Sequence, residues 1–180
     1  HAVRVGDPFD AQTQMGPLVS ARHRERVLGY IDKGRAEGAR IIAGGGRPAH
    51  LERGFFVEPT LFTNVDNHST IAREEIFGPV LSIIVADDEE AAVSIANDTI
   101  YGLNASIFTH DAERAYRLAR RIRSGQVGHN GVRSEMTLCF GGFKQSGIGR
   151  EGGSEGLRHY LESKVIVLDS LPGSLAQMPG

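Results

Sequence analysis

The sequence has a single cysteine, no tryptophan and only 7% aromatic residues. One cysteine excludes an internal disulfide framework and a cysteine-rich zinc site. The 20 basic residues nearly balance the 22 acidic ones, so no bulk charge favours nucleic acid or an anionic membrane as a partner. The longest apolar runs, such as residues 80–86, are too short to span a bilayer, and residues 1–10 do not resemble a signal peptide. We therefore expect a soluble, cytoplasmic protein.

The side chains that usually hold metals are also sparse. The seven histidines are scattered and show neither HxxxH nor HxxEH spacing, which predicts that there is no metal site. Cys139 lies between apolar neighbours in Met136-Thr137-Leu138-Cys139-Phe140. Such a thiol is a nucleophile only where a base or a cation lowers its pKa, and is more often a small buried hydrophobe. We favour the inert interpretation.

Glycine, by contrast, is abundant: the sequence has 23 glycine residues, which indicates tight turns or close backbone approaches.

The 180 residues fit about one domain of ~150 residues. Hydrophobic patterning alternates between strands and helices, so we predict an α/β fold. The continuous apolar run at residues 80–86 is typical of a strand buried on both faces. Strands are predicted at residues 40–43, 55–62, 80–86, 105–109 and 164–168. Helices are predicted from Ser20 towards Glu37, Asp87 to Asn97, Asp111 towards Gly125, and over residues 154–162.

Two short patterns leave alternatives open when they are taken alone. Residues 147–152 match GxGxxG, but a dinucleotide fingerprint needs a strand directly before it, and residues 143–146 lie in a glycine-rich loop. A tightly folded or flexible loop is favoured there. Glu74 and Glu75 precede Gly78-Pro79 and a predicted strand. Because adjacent side chains on an extended segment point to opposite sides, the two carboxylates would face in different directions. They are either two surface carboxylates or one surface carboxylate and one that faces a cleft.

Six short segments follow one another along the chain: VGDP (5–8), MGPLV (15–19), GFFVEPTL (54–61), EEIFGPV (74–80), YGL (101–103) and FGGFKQSGIGRE (140–151). Together, and in this order, they resemble the NAD(P)-dependent aldehyde dehydrogenase family, and the resemblance extends over residues 5–168. It implies an aldehyde dehydrogenase-like portion of a catalytic domain, with a mostly parallel sheet and flanking helices over residues 1–162. It also implies an oligomerisation strand and tail over residues 163–180.

The resemblance implies a role in cofactor binding for four residues. Glu75 would accept hydrogen bonds from the hydroxyls of the nicotinamide ribose, and Phe77 would pack beside that ribose and the nicotinamide ring. His23 and Arg26 fall where the family has a polar residue and a cation near the same ribose. Glu74 would be structural. The cofactor would be NAD or NADP in the complete enzyme, bound weakly or not at all by this chain alone.

The resemblance also implies a wall of the substrate tunnel. Asn130 would precede the loop that borders the tunnel, and the next residues would influence which aldehyde fits. Residues 141–151 would form a structural turn beneath that loop rather than a phosphate cradle. The tunnel residues implied are Asn130, Ser134, Glu135, Met136, Thr137 and Leu138.

This chain departs from the family pattern at two points. The family has proline directly before Phe-Gly-Gly where this chain has Cys139, which relaxes the backbone restriction on Leu138. The family nucleophile belongs to a Gly-Gln-x-Cys motif that these residues do not contain. We therefore expect no catalytic residue here.

The expected function is that of a C-terminal fragment of an enzyme that oxidises an aldehyde to a carboxylic acid through a cysteine thioester, inactive by itself. A non-catalytic binding or assembly module that keeps the fold is the alternative, and an enzyme that uses Cys139 or is completed by a separate chain is a third. The resemblance implies a homo-oligomer in which residues 164–168 pair with a neighbouring subunit. Val165, Ile166 and Val167 would otherwise form an exposed apolar edge.

Overall fold

The computed structural model describes residues 3–132, 135–170 and 172–173. The chain divides into two units, one formed by residues 1–100 and 111–123 and the other by residues 101–110 and 124–180. None of the helices in the described residues is long and apolar enough to cross a membrane.

The first unit packs helices on a three-stranded sheet of order β1-β2-β3. β1 and β2 are antiparallel, whereas β2 and β3 are parallel. The alternation of strands and helices that the sequence predicts is therefore present. The elements are α1 (Ala21–Ala36), β1 (Arg40–Ala43), β2 (Thr60–Thr63), α2 (Thr70–Arg73), β3 (Val80–Ser82), α3 (Glu89–Asn97) and α4 (Ala112–Ala119).

Helix α1 is the element on which the site is built. The hydroxyl of Ser20 accepts a hydrogen bond from the His23 amide and caps the helix, as the sequence predicts. Val27 and Ile31 are completely buried against the sheet. A Cβ on Gly34 would lie 3.0 Å from Cζ of Phe62, so the glycine permits close contact between α1 and β2. The first half of the chain thus has a core centred on α1.

Some predicted elements of the first unit are wrong in detail. Residues 80–86 are not one strand buried on both faces: β3 covers only Val80–Ser82, and the face with Val80 packs on the core. Leu81 is 63% exposed and Val85 73% exposed on the other face. The predicted strand at residues 55–62 begins only after Pro59, which has no N–H for strand pairing. Helix α3 is capped by Asp88 rather than Asp87.

The second unit contains β4 (Asn104–Ile107) and β5 (Gln126–His129), which are parallel, a 3-10 helix (Lys144–Ser146) and α5 (Gly153–Arg158). Helix α5 is shorter than predicted because the Tyr160 amide donates to the Leu157 carbonyl and tightens the last turn. Helix α4 of the first unit also ends before the predicted boundary, at Ala119. Residues 164–168 are exposed and form no strand in this chain, so their pairing with a neighbouring subunit stays a prediction.

Candidate functional site

The loop between α2 and β3, residues 74–79, lies against α1. Ile76 is buried, and Gly78 lies so near α1 that a Cβ on it would come within 2.6 Å of Cγ2 of Val27. Phe77 has a positive φ of 58°, which is uncommon for a residue other than glycine. Its ring is 76% exposed. The loop therefore buries Ile76 while it presents Phe77 to the outside.

Two side chains of α1 hold the backbone of this loop. The Nε2–H of His23 donates to the Phe77 carbonyl oxygen at 2.6 Å, and the two rings are 6.3 Å apart. The Arg26 guanidinium donates to the Glu75 carbonyl oxygen at 2.5 Å. Residues three apart on a helix share a face, so both donors reach the same loop. The structure thus brings His23, Arg26, Glu75 and Phe77 together; their predicted contacts with a cofactor stay predictions.

The two adjacent glutamates have different surroundings. The Tyr30 hydroxyl donates to the Glu74 carboxylate at 2.7 Å. The Glu75 side chain is exposed, and within the part of the chain that the structure describes its carboxylate accepts no hydrogen bond. Glu74 is thus attached to α1, whereas the Glu75 carboxylate is available to a ligand.

Tyr30 and Lys33 are neighbours of the site that the sequence analysis missed. The Arg26 guanidinium lies 5.3 Å and the Lys33 ammonium 5.0 Å from the Tyr30 ring centre, within range of cation–π attraction. The spacing 26, 30, 33 on one helical face is a signal that could have identified them. These cations surround the ring whose hydroxyl anchors Glu74.

The two exposed side chains of this loop differ in what they can offer a ligand. An ionised carboxylate is a pure acceptor with two oxygens, and it can take hydrogen bonds from two neighbouring hydroxyls. An exposed aromatic ring supplies an apolar surface for a flat heterocycle or a sugar face. The Glu75 carboxylate and the Phe77 ring are two residues apart on a loop whose carbonyls are bound by α1, so the loop presents an acceptor and an apolar surface to a ligand.

The predicted tunnel residues lie in the second unit. The Asn130 amide is used within the fold: its Oδ1 accepts from the Thr109 amide and its Nδ2 donates to the Thr109 carbonyl, both at 2.9 Å. The hydroxyl and amide of Thr137 donate to the Glu135 carboxylate, which holds the pKa of Glu135 below its ordinary value. Residues 135–138 are all exposed, and Ser134 lies outside the described residues.

The glycine-rich stretch before α5 is a closed turn. The amides of Phe140 and Glu151 donate to each other's carbonyls at 2.7 and 2.8 Å. The Arg150 guanidinium donates to the Gly142 carbonyl at 3.0 Å inside the turn. The residues before the GxGxxG match form the 3-10 helix rather than a strand, so the match is not a dinucleotide fingerprint. Cys139, at the start of this stretch, is a free and exposed thiol rather than a buried one.

The described residues offer no metal centre of their own. Among residues 3–132, 135–170 and 172–173, no three histidine, cysteine or acidic side chains are grouped in a way that could hold a metal ion.

Comparison with known proteins gives the family. The sequence profile of the aldehyde dehydrogenase family matches residues 1–166. Betaine aldehyde dehydrogenases of Brucella anthropi and Brucella melitensis are each 47% identical over 170 residues, which is 93% of this chain and 35% of theirs. The chain therefore spans about a third of the length of these curated relatives.

Solved structures agree in fold. An aldehyde dehydrogenase of Mycobacterium tuberculosis in complex with NAD+ is 52% identical, with a TM-score of 0.86 over 88% of this chain and 33% of that one. A betaine aldehyde dehydrogenase of Staphylococcus aureus in complex with NAD+ is 41% identical, with a TM-score of 0.88 over 99% of this chain and 36% of its own. A mutant aldehyde dehydrogenase of Pseudomonas syringae with NAD+ and octanal is 47% identical, with a TM-score of 0.88 over 92% of this chain and 34% of its own. The expected α/β fold is confirmed. The chain belongs to the aldehyde dehydrogenase family.

Proposed function

We propose that these residues form the C-terminal portion of an NAD-dependent aldehyde dehydrogenase subunit and supply its clamp for the nicotinamide ribose. The observation that carries the proposal is a loop, bound to α1 by its carbonyls, that carries the free Glu75 carboxylate and, two residues later, the exposed Phe77 ring. NAD rather than NADP is favoured because the similar solved structures hold NAD+.

The residues of this chain would act by orienting the nicotinamide nucleoside of NAD. NAD, when bound, supplies the nicotinamide ring that takes up hydride from the substrate. The Glu75 carboxylate would accept hydrogen bonds from the two ribose hydroxyls and fix the rotation of the sugar. The Phe77 ring would cover one side of the nucleoside and keep water away from it. His23 and Arg26 would hold the two carbonyls and so keep both side chains in place.

The aldehyde chemistry itself would need groups beyond these residues. No Gly-Gln-x-Cys motif occurs in the sequence, and the one cysteine, Cys139, lies in a different setting. We propose that these residues alone do not oxidise aldehydes. The exposed residues 135–138 would line the tunnel of the complete subunit and contribute to the choice of aldehyde.

Assembly would involve the end of the chain. Residues 164–168 are exposed and include three consecutive β-branched residues, Val165, Ile166 and Val167. Such a segment forms a strand readily when it meets a partner edge. We propose that it pairs with a second subunit in a homo-oligomer, with no nucleic acid or membrane as partner.

The test uses the complete subunit that contains these residues. Glu75→Gln is compared with Glu52→Gln, the same change at an exposed loop position. We expect the Kd for NAD to rise about tenfold in Glu75→Gln, since a hydrogen bond to a charged group contributes about 1.5–3 kcal/mol. Single-turnover rates should also fall, because a misplacement of ~1 Å can cost ~10²-fold. If NAD affinity and single-turnover rates in Glu75→Gln match those of the control variant, Glu75 does not bind NAD.

A further inference from the structure

Tyr30 lies on α1 one turn beyond Arg26 and reaches the loop at Glu74. Its ring is half-buried and packs on the core cluster that contains Val27 and Ile31. The ring is also flanked by the cations of Arg26 and Lys33, at 5.3 and 5.0 Å from its centre. A ring fixed on several sides holds its hydroxyl in a defined place.

That hydroxyl donates to the Glu74 carboxylate at 2.7 Å, across 44 residues of sequence. Glu74 directly precedes Glu75, whose carbonyl is bound by Arg26 at 2.5 Å. The backbone on both sides of the Glu75 Cα is therefore attached to α1: the preceding residue through its side chain, and Glu75 through its own carbonyl. These contacts restrict the backbone beside Glu75, whereas the Glu75 carboxylate accepts no hydrogen bond from the described residues.

We infer that Tyr30 and Glu74 are positioning residues for the nicotinamide-ribose site. They would not touch the cofactor; they would set the direction of the Glu75 carboxylate through the backbone. The inference rests on the proposed function, since it assigns to Glu75 the ribose hydroxyls as ligands. It adds that Glu74, the first glutamate of the pair, positions the carboxylate of Glu75, the second.

If the Tyr30–Glu74 contact were purely structural, its removal would have a different effect on NAD affinity. An exposed hydrogen bond that only stabilised the fold would change the unfolding temperature and leave NAD affinity alone. A positioning contact changes NAD affinity, because the ligand must then restrain a looser carboxylate at the cost of its own binding energy. Measuring both the unfolding temperature and the NAD affinity therefore distinguishes the two roles.

The experiment compares Tyr30→Phe with Tyr116→Phe in the complete subunit. Tyr116 is a matched control, because it is also a helical tyrosine with an arginine guanidinium, that of Arg120, 5.9 Å from its ring centre. Tyr30→Phe keeps the ring and removes only the hydroxyl. We expect its Kd and KM for NAD to rise about two- to tenfold, the effect of one hydrogen bond, with the KM for aldehyde unchanged.

Variants of Glu74 test whether the two residues act as a pair. Glu74→Ala should raise the Kd for NAD as much as Tyr30→Phe does, and the double variant should be no worse than either single variant. Glu74→Gln still accepts a hydrogen bond from Tyr30 and should recover most of the lost affinity. Amide hydrogen exchange of residues 72–78, measured without NAD, should be faster in Tyr30→Phe than in Tyr116→Phe.

The outcomes distinguish this inference from the proposed function. NAD affinity that is unchanged in Tyr30→Phe but weakened in Glu75→Gln would overturn the positioning role and leave the clamp intact. An unfolding temperature that falls in Tyr30→Phe with no change in NAD affinity would do the same. Unchanged affinity in Glu75→Gln would overturn the clamp and the positioning role together.

Discussion

The imidazole of His23 donates from Nε2–H to the carbonyl oxygen of Phe77 at 2.6 Å, a contact between residues 54 positions apart. It fixes the backbone of a residue whose φ is positive and whose ring is exposed. Because the donor lies on a helix with a buried face, the loop takes its position from the best-packed element of the first unit.

Removing that donor should loosen Phe77. In the complete subunit, His23→Ala is expected to weaken NAD binding about two- to tenfold, since one net hydrogen bond contributes about 0.5–1.5 kcal/mol. His23→Gln, which offers an amide donor, should fall between His23→Ala and the wild type. Titration calorimetry with NAD measures the effect, and His110→Ala at an exposed position is the control. Equal affinities in His23→Ala and the control would contradict the role of this contact.

The loop lies so close to α1 that adding one methyl group at Gly78 should destabilise the fold. A Cβ at Gly78 would lie 2.6 and 2.8 Å from the two γ-carbons of Val27, which is completely buried. We expect Gly78→Ala to lower the free energy of unfolding by about 1–3 kcal/mol, the usual effect of overpacking. Urea unfolding of the chain measures it.

Gly29 provides the matched control for that substitution. It lies inside α1, and a Cβ there would meet nothing within 4 Å. Gly29→Ala should therefore raise the free energy of unfolding by roughly 0.5–1 kcal/mol, because alanine is the better helix former. Combined with Val27→Ala, which makes room for the new methyl group but costs core packing, Gly78→Ala should cost less than it does alone. A Gly78→Ala variant as stable as the wild type would show that the loop is not packed as described.

Stability should depend on pH through the ion pairs of the first unit. A hydrogen bond from the Arg121 guanidinium holds the pKa of Glu90 below its ordinary value of 4.5. A hydrogen bond from Arg73 likewise holds the pKa of Asp98 below 3.8. A carboxyl with a lowered pKa in the folded state stabilises the fold above its unfolded pKa. That contribution is lost as the pH falls through the folded pKa.

The corresponding measurement compares the wild type with Arg121→Met. The wild type should be the more stable at neutral pH, and the difference should shrink as the pH falls below 4.5. Because both partners are exposed, added salt should also shrink the difference. A difference that is constant from pH 7 to pH 2 would exclude Glu90 as the titrating group.

The chain alone should not carry out NAD-linked oxidation of simple aldehydes. Its one thiol, Cys139, is exposed and lies outside any Gly-Gln-x-Cys motif. Absorbance at the reduced-nicotinamide band measures the reaction, with the complete subunit as the positive control. Activity that Cys139→Ser abolishes would contradict this expectation and make Cys139 a nucleophile.

Local patterns predicted local features well. The Ser20 cap, the end of α1 near Glu37 and the start of α4 near Asp111 depend on hydrogen bonds within a few residues, and such signals are contained in the sequence. The family resemblance placed His23 and Arg26 near the nicotinamide ribose, which stays a prediction. The structure shows that they bind the carbonyls of Phe77 and Glu75.

The features that the sequence did not predict depend on contacts between distant segments. The Tyr30–Glu74 contact spans 44 residues, and no local rule states which tyrosine faces which carboxylate. The exposure of Leu81 was also missed, since a continuous apolar run does not indicate whether another layer of the protein covers each face of its strand. Asn130 was expected at a substrate tunnel, and the structure adds that its amide is engaged by the Thr109 backbone.

A crystal structure of the complete subunit with NAD would show directly whether Glu75 and Phe77 hold the nicotinamide ribose. We expect the Glu75 carboxylate oxygens within about 2.5–3.0 Å of the ribose hydroxyl oxygens, with the Phe77 ring against the nucleoside. A structure in which bound NAD leaves the Glu75 carboxylate in solvent and the Phe77 ring without contact would contradict it.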